Sequence, residues 1–203
     1  METATTRQNR LFRLTFTLLL AAVAPSAVYA WDVNPFSGAG GNPGAGATLG
    51  GTSIEVGFSP SGHAMDLEIK AINSARRTLD IAAYEFTSKR VSNAVRAAIA
   101  RGVRVRVACD AKENVGRRNS IAYPLAAVGA QVRFVDAYPI MHDKLTLVDR
   151  ITVETGSLNY TAAADLRNRE NALVIWNNPQ LAGVYEQDFE DLFSRGHPLT
   201  AAN

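Results

Sequence analysis

From residue 53 onward, short runs rich in β-branched residues alternate with longer segments of helical periodicity. Residues 54–58 and 78–84 have the composition of strands, and residues 64–75 repeat apolar side chains at the spacing of one helix face. Further strands are expected at residues 103–108, 131–135, 144–148, 151–155 and 172–176. Further helices are expected at residues 121–128 and from an N-cap at Thr87 or Ser88 to Gly102. This alternation predicts an α/β layer fold with a largely parallel or mixed sheet.

The most regular helix is predicted near the C-terminus. Asn178 suits its N-cap, Pro179 its first turn and Gly196 its end. The apolar residues at helical spacing are Leu181, Val184, Tyr185, Phe189, Leu192 and Phe193. We expect this stripe to pack into the core, because aromatic residues at helical spacing are typical of a buried helix face.

The N-terminus has the three parts of a signal peptide. Arg7, Arg10 and Arg13 precede an apolar run of eleven residues at 14–24, and small residues precede a cleavage position after Ala30. A membrane-spanning helix needs about 20 apolar residues, so the run is short for an anchor. We expect residues 1–30 to be removed on export to the periplasm or medium, leaving no stable membrane association. An uncleaved anchor is the alternative.

The next segment is rich in glycine. Seven of the seventeen residues from 36 to 52 are Gly, a composition that buries too little apolar surface to order itself. Residues 31–52 are therefore predicted to be a flexible linker and residues 53–203 the catalytic domain. A phosphate-binding glycine loop is the alternative, but the segment lacks a preceding strand and a Gly-Lys-Ser/Thr ending.

Charge and cysteine content exclude two classes of protein. The chain has 21 basic and 19 acidic residues. Without the three leader arginines and Glu2, 18 of each remain, so the mature part is neutral and unlike a basic protein that coats nucleic acid. Cys109 is the single cysteine, which excludes an intrachain disulfide scaffold.

A group of polar residues at fixed spacing carries the chemistry. His142 and Lys144 are two apart at the start of a predicted strand and therefore point to the same face. Four residues separate Lys144 from Asp149. Gly156 permits a close backbone approach, and the next positions offer a hydroxyl and an amide on Ser157 and Asn159. Such donors suit the oxygens of a phosphoryl group and need no metal or other cofactor.

This pattern resembles the phospholipase D superfamily, the HKD family, and within it the short, exported, single-motif bacterial endonucleases. The resemblance covers residues 53–195, including residues 81–87 upstream and residues 169–172 downstream of the motif. It implies a three-layer α/β/α sandwich around a mixed, largely parallel β-sheet.

The resemblance also implies a role for each site residue. His142 would be the nucleophile that forms a phosphohistidine, while Lys144 and Asn159 would bind the non-bridging oxygens with help from Ser157. Glu170 would accept a hydrogen bond from the other ring nitrogen of the histidine; an exposed strand-edge charge is the alternative. Asp149, at the far end of the strand, would tie down backbone or a basic side chain.

A single copy of the motif implies a homodimer that shares one active site. Two-motif members of the family pair two His-x-Lys segments, whereas His63 and His197 have no Lys two residues later. A symmetric dimer would bring two copies of His142 to one cleft, one as nucleophile and one as acid.

The substrate is less constrained by the sequence. A local excess of basic residues between Arg101 and Arg118 could follow a nucleic-acid backbone, with Lys112, Arg117 and Arg118 as candidate contacts. A solvated face is the alternative. We expect a metal-independent, non-specific endonuclease of DNA, with RNA as a second candidate substrate. The alternatives are a phospholipase D-type lipid phosphodiesterase and a non-catalytic binding or assembly protein.

Overall fold

The computed structural model describes residues 45–49 and 51–199. The strands are β1 (Ala45–Leu49), β2 (Thr52–Phe58), β3 (Thr78–Ala83), β4 (Arg104–Asp110), β5 (Gln131–Val135), β6 (Lys144–Val148), β7 (Thr152–Gly156), β8 (Asn171–Trp176) and β9 (His197–Pro198). The helices are α1 (His63–Ser74), α2 (Lys89–Ala100), α3 (Ala111–Asn114), α4 (Ala122–Ala126), α5 (Ala162–Leu166) and α6 (Pro179–Arg195). The strands and helices predicted from periodicity are all present. The short elements β1, α3, α5 and β9 were not predicted.

The strands form one mixed sheet in the order β1-β2-β8-β7-β6-β3-β4-β5-β9. The pairs β3–β4 and β4–β5 are parallel, because helices α2 and then α3 and α4 carry the chain back across the sheet between them. The other six pairs are antiparallel. The predicted mixed α/β sheet is therefore confirmed, but its description as largely parallel is wrong.

Two apolar clusters fill the space on the two faces of the sheet. One lies against α1, α2 and α4 and includes Met65, Val95 and Leu125. The other lies against α6, where Phe189 and Phe193 pack on Leu145 and neighbouring strand residues. Helices on both faces of a sheet give the predicted α/β/α sandwich.

Helix α6 begins and ends where its capping residues predict. The side chain of Asn178 accepts a hydrogen bond from the backbone N–H of Leu181, and Gly196 follows the last turn. Val184 was predicted in the buried stripe, but 64% of it is exposed. Two residues beyond the buried Ala182, it lies about 200° around the helix axis, on the solvent side.

The edge strand β1 falls within the segment predicted as a linker. Ala45–Leu49 instead pairs antiparallel with β2, through backbone hydrogen bonds that do not depend on large side chains. Residues 31–44, Gly50 and the predicted signal peptide at 1–30 lie outside the described residues. Within the residues that the structure describes, no helix has the length and apolar character needed to cross a membrane.

A tight turn joins β6 to β7 at the end of β6 opposite to Lys144. Asp149 and Arg150 both have positive φ, 52° and 62°, as the two central residues of a primed β-turn require, and the Ile151 N–H donates to the Val148 carbonyl at 3.0 Å. The Asp149 carboxylate accepts hydrogen bonds from the backbone N–H groups of Arg76, Arg77 and Thr78 at 2.9, 2.7 and 2.8 Å. Burial alone would raise the pKa of Asp149, but these backbone bonds outweigh it and lower the pKa. Asp149 thus holds backbone in place, as predicted.

Replacing Asp149 by Ala should lower the free energy of unfolding by about 1–3 kcal/mol, because three backbone donors lose a charged acceptor. Because the pKa is lowered by folding, this stabilisation is present above the ordinary carboxyl pKa of 3.8 and is lost as the pH falls through the folded value. Urea unfolding at pH 7 and below pH 3 measures both effects. Asp136→Ala is the matched control, because its exposed carboxylate contacts His197 alone among the described residues. Equal stabilities for the two variants at pH 7 would contradict this role.

Candidate active site

Lys144 is the first residue of β6, and His142 lies two residues before it. His142 is exposed, whereas Lys144 is only 7% exposed. The Lys144 Nζ donates a hydrogen bond to the backbone carbonyl of His142 at 2.7 Å. An ammonium has three donors, so two remain for an incoming oxyanion.

The segment that follows β3 supports these two side chains. The Tyr84 ring lies edge-on to the His142 ring, with 4.6 Å between the ring centroids. The Lys144 Nζ lies 5.4 Å from the centroid of the same ring, within cation–π distance. The Tyr84 ring thus limits the positions that the His142 and Lys144 side chains can take. The sequence analysis included Tyr84 in residues 81–87, which take part in the family resemblance, but gave it no role.

The segment before His142 is held by a residue that sequence reasoning missed. Asp110, at the end of β4, accepts a hydrogen bond from the backbone N–H of Met141 at 2.8 Å. Its other oxygen accepts one from the N–H of Glu113 at 2.9 Å and so caps α3. Asp110 therefore joins the end of a parallel strand to the residue before His142.

The end of β7 brings the hydroxyl of Ser157 to the site. At Gly156, a Cβ atom would lie 2.3 Å from the backbone oxygen of Asn171, so only glycine permits β7 and β8 to approach this closely. The backbone N–H of Ser157 donates to that oxygen at 3.1 Å, and the Ser157 hydroxyl accepts from the N–H of Asn171 at 3.1 Å. Gly156 thus fixes the position of Ser157.

Glu170 lies in the site but has a different partner from the one expected. Its two carboxylate oxygens accept hydrogen bonds from the Ser157 hydroxyl at 2.6 Å and from the Asn168 amide at 2.9 Å. Within the described residues, the His142 ring makes no hydrogen bond, and the expected bond to Glu170 is absent from this structure. The carboxylate is instead engaged by donors from the two loops beside it.

Asn159 is oriented by Glu85, a contact that the sequence did not predict. The Asn159 Nδ2 lies 3.0 Å from a carboxylate oxygen of Glu85. Because an ionised carboxylate only accepts hydrogen bonds, the amide must present its nitrogen to Glu85. The sequence signal for Glu85 was its position in residues 81–87, a segment that takes part in the family resemblance.

Six residues of the predicted motif line a single open cavity of about 440 Å³. They are His142, Lys144, Gly156, Ser157, Asn159 and Glu170. The five predicted catalytic side chains therefore converge, although they come from the start of β6 and the residues before it, the loop after β7 and the residue before β8. This arrangement of an imidazole, an ammonium, a hydroxyl and an amide can surround a phosphoryl group.

Burial and charge shift the pKa values of two groups beside His142. Burial lowers the pKa of Lys144, although the nearby carboxylates of Asp143, Glu170 and Glu85 oppose this effect. Burial and then repulsion from Asp188 raise the pKa of Asp143. The ammonium of Lys144 therefore loses its proton at a lower pH than that of a surface lysine.

The three candidate substrate contacts lie in different surroundings. Arg117 forms an ion pair with Glu113 and lines a cavity next to Glu85. Lys112 donates to the backbone oxygen of Pro139, in the loop that leads to His142. Arg118 is exposed and has no hydrogen bond or ion pair within the described part of the chain. The structure therefore brings Arg117 and Lys112 near the site and leaves Arg118 in solvent.

Among residues 45–49 and 51–199, no group of three His, Cys, Asp or Glu side chains is arranged to hold a metal ion.

Comparison with known proteins assigns the family. Residues 69–193 match the family model described as "Cardiolipin synthase, PLD-like domain". The chain belongs to the phospholipase D superfamily. Solved structures of this superfamily include the phospholipase D family member Nuc from Salmonella typhimurium. That structure is 41% identical to this chain, with a TM-score of 0.71, over 74% of this chain and 99% of Nuc.

Curated relatives in the phospholipase D superfamily have lipid-related names. A mitochondrial cardiolipin hydrolase of Xenopus tropicalis is 36% identical over 62% of this chain. A phospholipase D of Rickettsia bellii is 31% identical over 70% of this chain and 69% of its own length. The aligned part spans 59% of the Xenopus protein and 51% of the human mitochondrial cardiolipin hydrolase.

Proposed function

We propose that the protein is a metal-independent phosphodiesterase that acts as a non-specific endonuclease on DNA, with RNA as a second substrate. The observation that carries the proposal is the convergence of His142, Lys144, Ser157, Asn159 and Glu170 in one open cavity. Each of these side chains has a role in phosphoryl transfer, and together they supply nucleophile, charge and orientation.

In the proposed reaction, a ring nitrogen of His142 attacks the phosphorus atom and forms a P–N bond. Lys144 and Asn159 donate hydrogen bonds to the two non-bridging oxygens and so neutralise the developing charge. Ser157 assists when its hydroxyl turns from Glu170 to one of these oxygens. The P–O bond to the leaving oxygen breaks, and that oxygen takes a proton from an acid. Water then attacks the phosphohistidine, gives a proton back to the same acid group and releases the nitrogen of His142.

The acid in this scheme is the partner subunit's His142. The motif occurs once in the chain, and in the described residues no second histidine lines the cavity of about 440 Å³. We therefore propose a homodimer whose two chains share one cleft. We also propose that the mature protein is periplasmic or secreted, on the strength of the leader at residues 1–30.

A lipid phosphodiesterase is the second candidate function. Ile140 is 57% exposed and Tyr138 40% exposed, and both line a cavity that includes His142. Exposed apolar side chains beside a site suit an acyl chain or a lipid surface. A non-catalytic binding or assembly role is the third candidate, and the complete set of reactive side chains argues against it.

Purified mature protein should cut plasmid DNA in the presence of excess EDTA, because Lys144 does the work of a divalent cation. The same preparation should leave vesicles of phosphatidylcholine and cardiolipin intact. Gel electrophoresis and release of lipid headgroup measure the two activities. Hydrolysis of lipid without cleavage of DNA or RNA would favour the second candidate. Loss of activity on chelation that Mg²⁺ or Zn²⁺ restores would contradict the metal-free mechanism.

Mixing wild-type chains with His142→Ala chains tests the shared cleft. After full subunit exchange at equal amounts, random pairing gives about one quarter wild-type dimers, so activity should fall to about a quarter at constant total protein. Differently tagged chains verify the exchange. A fall to only one half after verified exchange would mean that each chain works alone.

A further inference from the structure

We call the cavity of about 440 Å³ that is lined by His142 and Lys144 the catalytic cavity. A second cavity, of about 280 Å³, lies beside it. We call it the side pocket; its polar lining residues are Glu85, Thr87, Glu113, Arg117, Asn119 and Arg167, together with Thr161. The hydrogen bond from Asn159 to Glu85 joins the two cavities, because Asn159 lines the catalytic cavity and Glu85 lines the side pocket. Anything bound in the side pocket would therefore adjoin a phosphoryl group held by Asn159.

The charges of the side pocket point to a neutral ligand. Two carboxylates, on Glu85 and Glu113, balance two guanidinium groups, on Arg117 and Arg167. A pocket with no net charge is not built for a phosphate. An acyl chain would remove these charged groups from water without giving them a partner, which is costly.

Several polar groups of the side pocket have donors and acceptors to spare. Within residues 51–199, the side chains of Thr87, Asn119 and Arg167 make no hydrogen bond, and Glu85 uses one oxygen only. Arg167 can only donate and Glu85 can only accept, whereas Thr87 and Asn119 can do both. The volume of about 280 Å³ lies close to the lower end for small-molecule sites, about 300 Å³, which suits one polar ligand of the size of a nucleoside.

The opposite flank of His142 does not suit a polyanion. A smaller cavity there is lined by Asp143 and Asp188, on the side of the sheet covered by α6. A nucleic-acid strand is repelled by such carboxylates and attracted by guanidinium groups. The strand is therefore expected to leave the scissile phosphate on the Asn159 side, over the side pocket.

We propose that the side pocket binds the nucleoside next to the scissile phosphate. Glu85, Glu113 and the Asn119 amide would meet polar edges of the base or the sugar hydroxyls, and a guanidinium of Arg117 or Arg167 can lie flat against a base. This inference rests on the proposed endonuclease function. It adds to that function a site that selects nucleic acid over lipid.

The test compares two phosphodiesters that differ in the polar groups next to the phosphate. Bis(4-nitrophenyl) phosphate has no sugar hydroxyl and no base edge to meet the polar groups of the side pocket, whereas an oligonucleotide has both. Arg167→Ala and Asn119→Ala remove pocket contacts, and Ala162→Phe fills the pocket, because Ala162 is an exposed lining residue. Arg104→Ala removes an exposed positive charge at the opposite end of the parallel strands and is the matched control.

Each pocket variant should lower kcat/KM for the oligonucleotide by about tenfold or more, mainly through KM. The small diester should be cleaved at the wild-type rate, and Arg104→Ala should change neither activity beyond about twofold. Equal losses on both substrates, or no loss on either, would overturn the subsite while leaving the endonuclease intact. A wild-type protein that cleaves the small diester but no nucleic acid would instead refute the proposed function, and the subsite with it.

Discussion

His142→Ala is expected to abolish cleavage of DNA, with a loss of about four orders of magnitude or more in kcat. In the proposed mechanism the imidazole forms the P–N bond, and the protonated ammonium of Lys144 has no lone pair with which to replace it. Because His142 is exposed and lies two residues before β6, its removal should leave the core intact. The midpoint temperature of thermal unfolding should therefore be close to that of the wild type.

His63→Ala is the matched control for this experiment. His63 begins α1, bonds to the Ser61 hydroxyl and does not line the catalytic cavity. Its variant should keep wild-type activity. Near wild-type turnover by His142→Ala would refute the phosphohistidine mechanism. A loss of activity accompanied by unfolding would mean that His142 is needed for folding, contrary to its exposed position.

Lys144→Met should lower kcat by about two to four orders of magnitude, in line with the loss of a dominant electrostatic contact in the transition state. Met retains much of the apolar stem that packs near Tyr84, so the variant separates the charge from the packing. Steady-state kinetics with circular dichroism as a folding check give the comparison. A kcat within tenfold of the wild type would rule out this role for the ammonium.

The pH dependence provides an independent check on Lys144. Burial lowers its pKa from the ordinary value of 10.5, so wild-type activity should fall on the alkaline side below pH 10.5 as the ammonium loses its proton. Whatever activity Lys144→Arg retains should persist through that range, because a guanidinium stays charged. An alkaline limb that is unchanged in Lys144→Arg would assign the titration to another group.

The sequence predicted the residues of the site better than the residues that hold them in position. The two-residue spacing of His142 and Lys144 predicts that they share one face, and both line one cavity although His142 lies before β6. The loop after β7 carries Ser157 and Asn159 at a spacing that the sequence displays directly. The hydrogen bond between Asn159 and Glu85 joins residues 74 positions apart, and no local period reports such a contact. The bond from Met141 to Asp110, 31 positions away, escaped prediction for the same reason.

The relative direction of neighbouring strands also depends on contacts between distant parts of the chain, which local periodicity does not report. Periodicity locates a strand but does not say which strand lies beside it, and that choice decides whether a pair is parallel. A short turn makes β6 and β7 antiparallel, and β7 and β8 are antiparallel although residues 157–170 and the short helix α5 lie between them. Helices return the chain between β3, β4 and β5, which are parallel. Elements of four or five residues, such as α3 (Ala111–Asn114) and α5 (Ala162–Leu166), span little more than one helical turn and show no period.

Trapping the reaction intermediate tests the central claim, that His142 is the nucleophile. Wild-type protein is mixed with DNA, quenched during turnover in alkaline denaturant, digested and examined by mass spectrometry. The account predicts a phosphorus-linked nucleotide on the peptide that contains His142, and no such adduct in the His142→Ala variant. An adduct on another residue, or turnover with no adduct in samples quenched at several times, would contradict it.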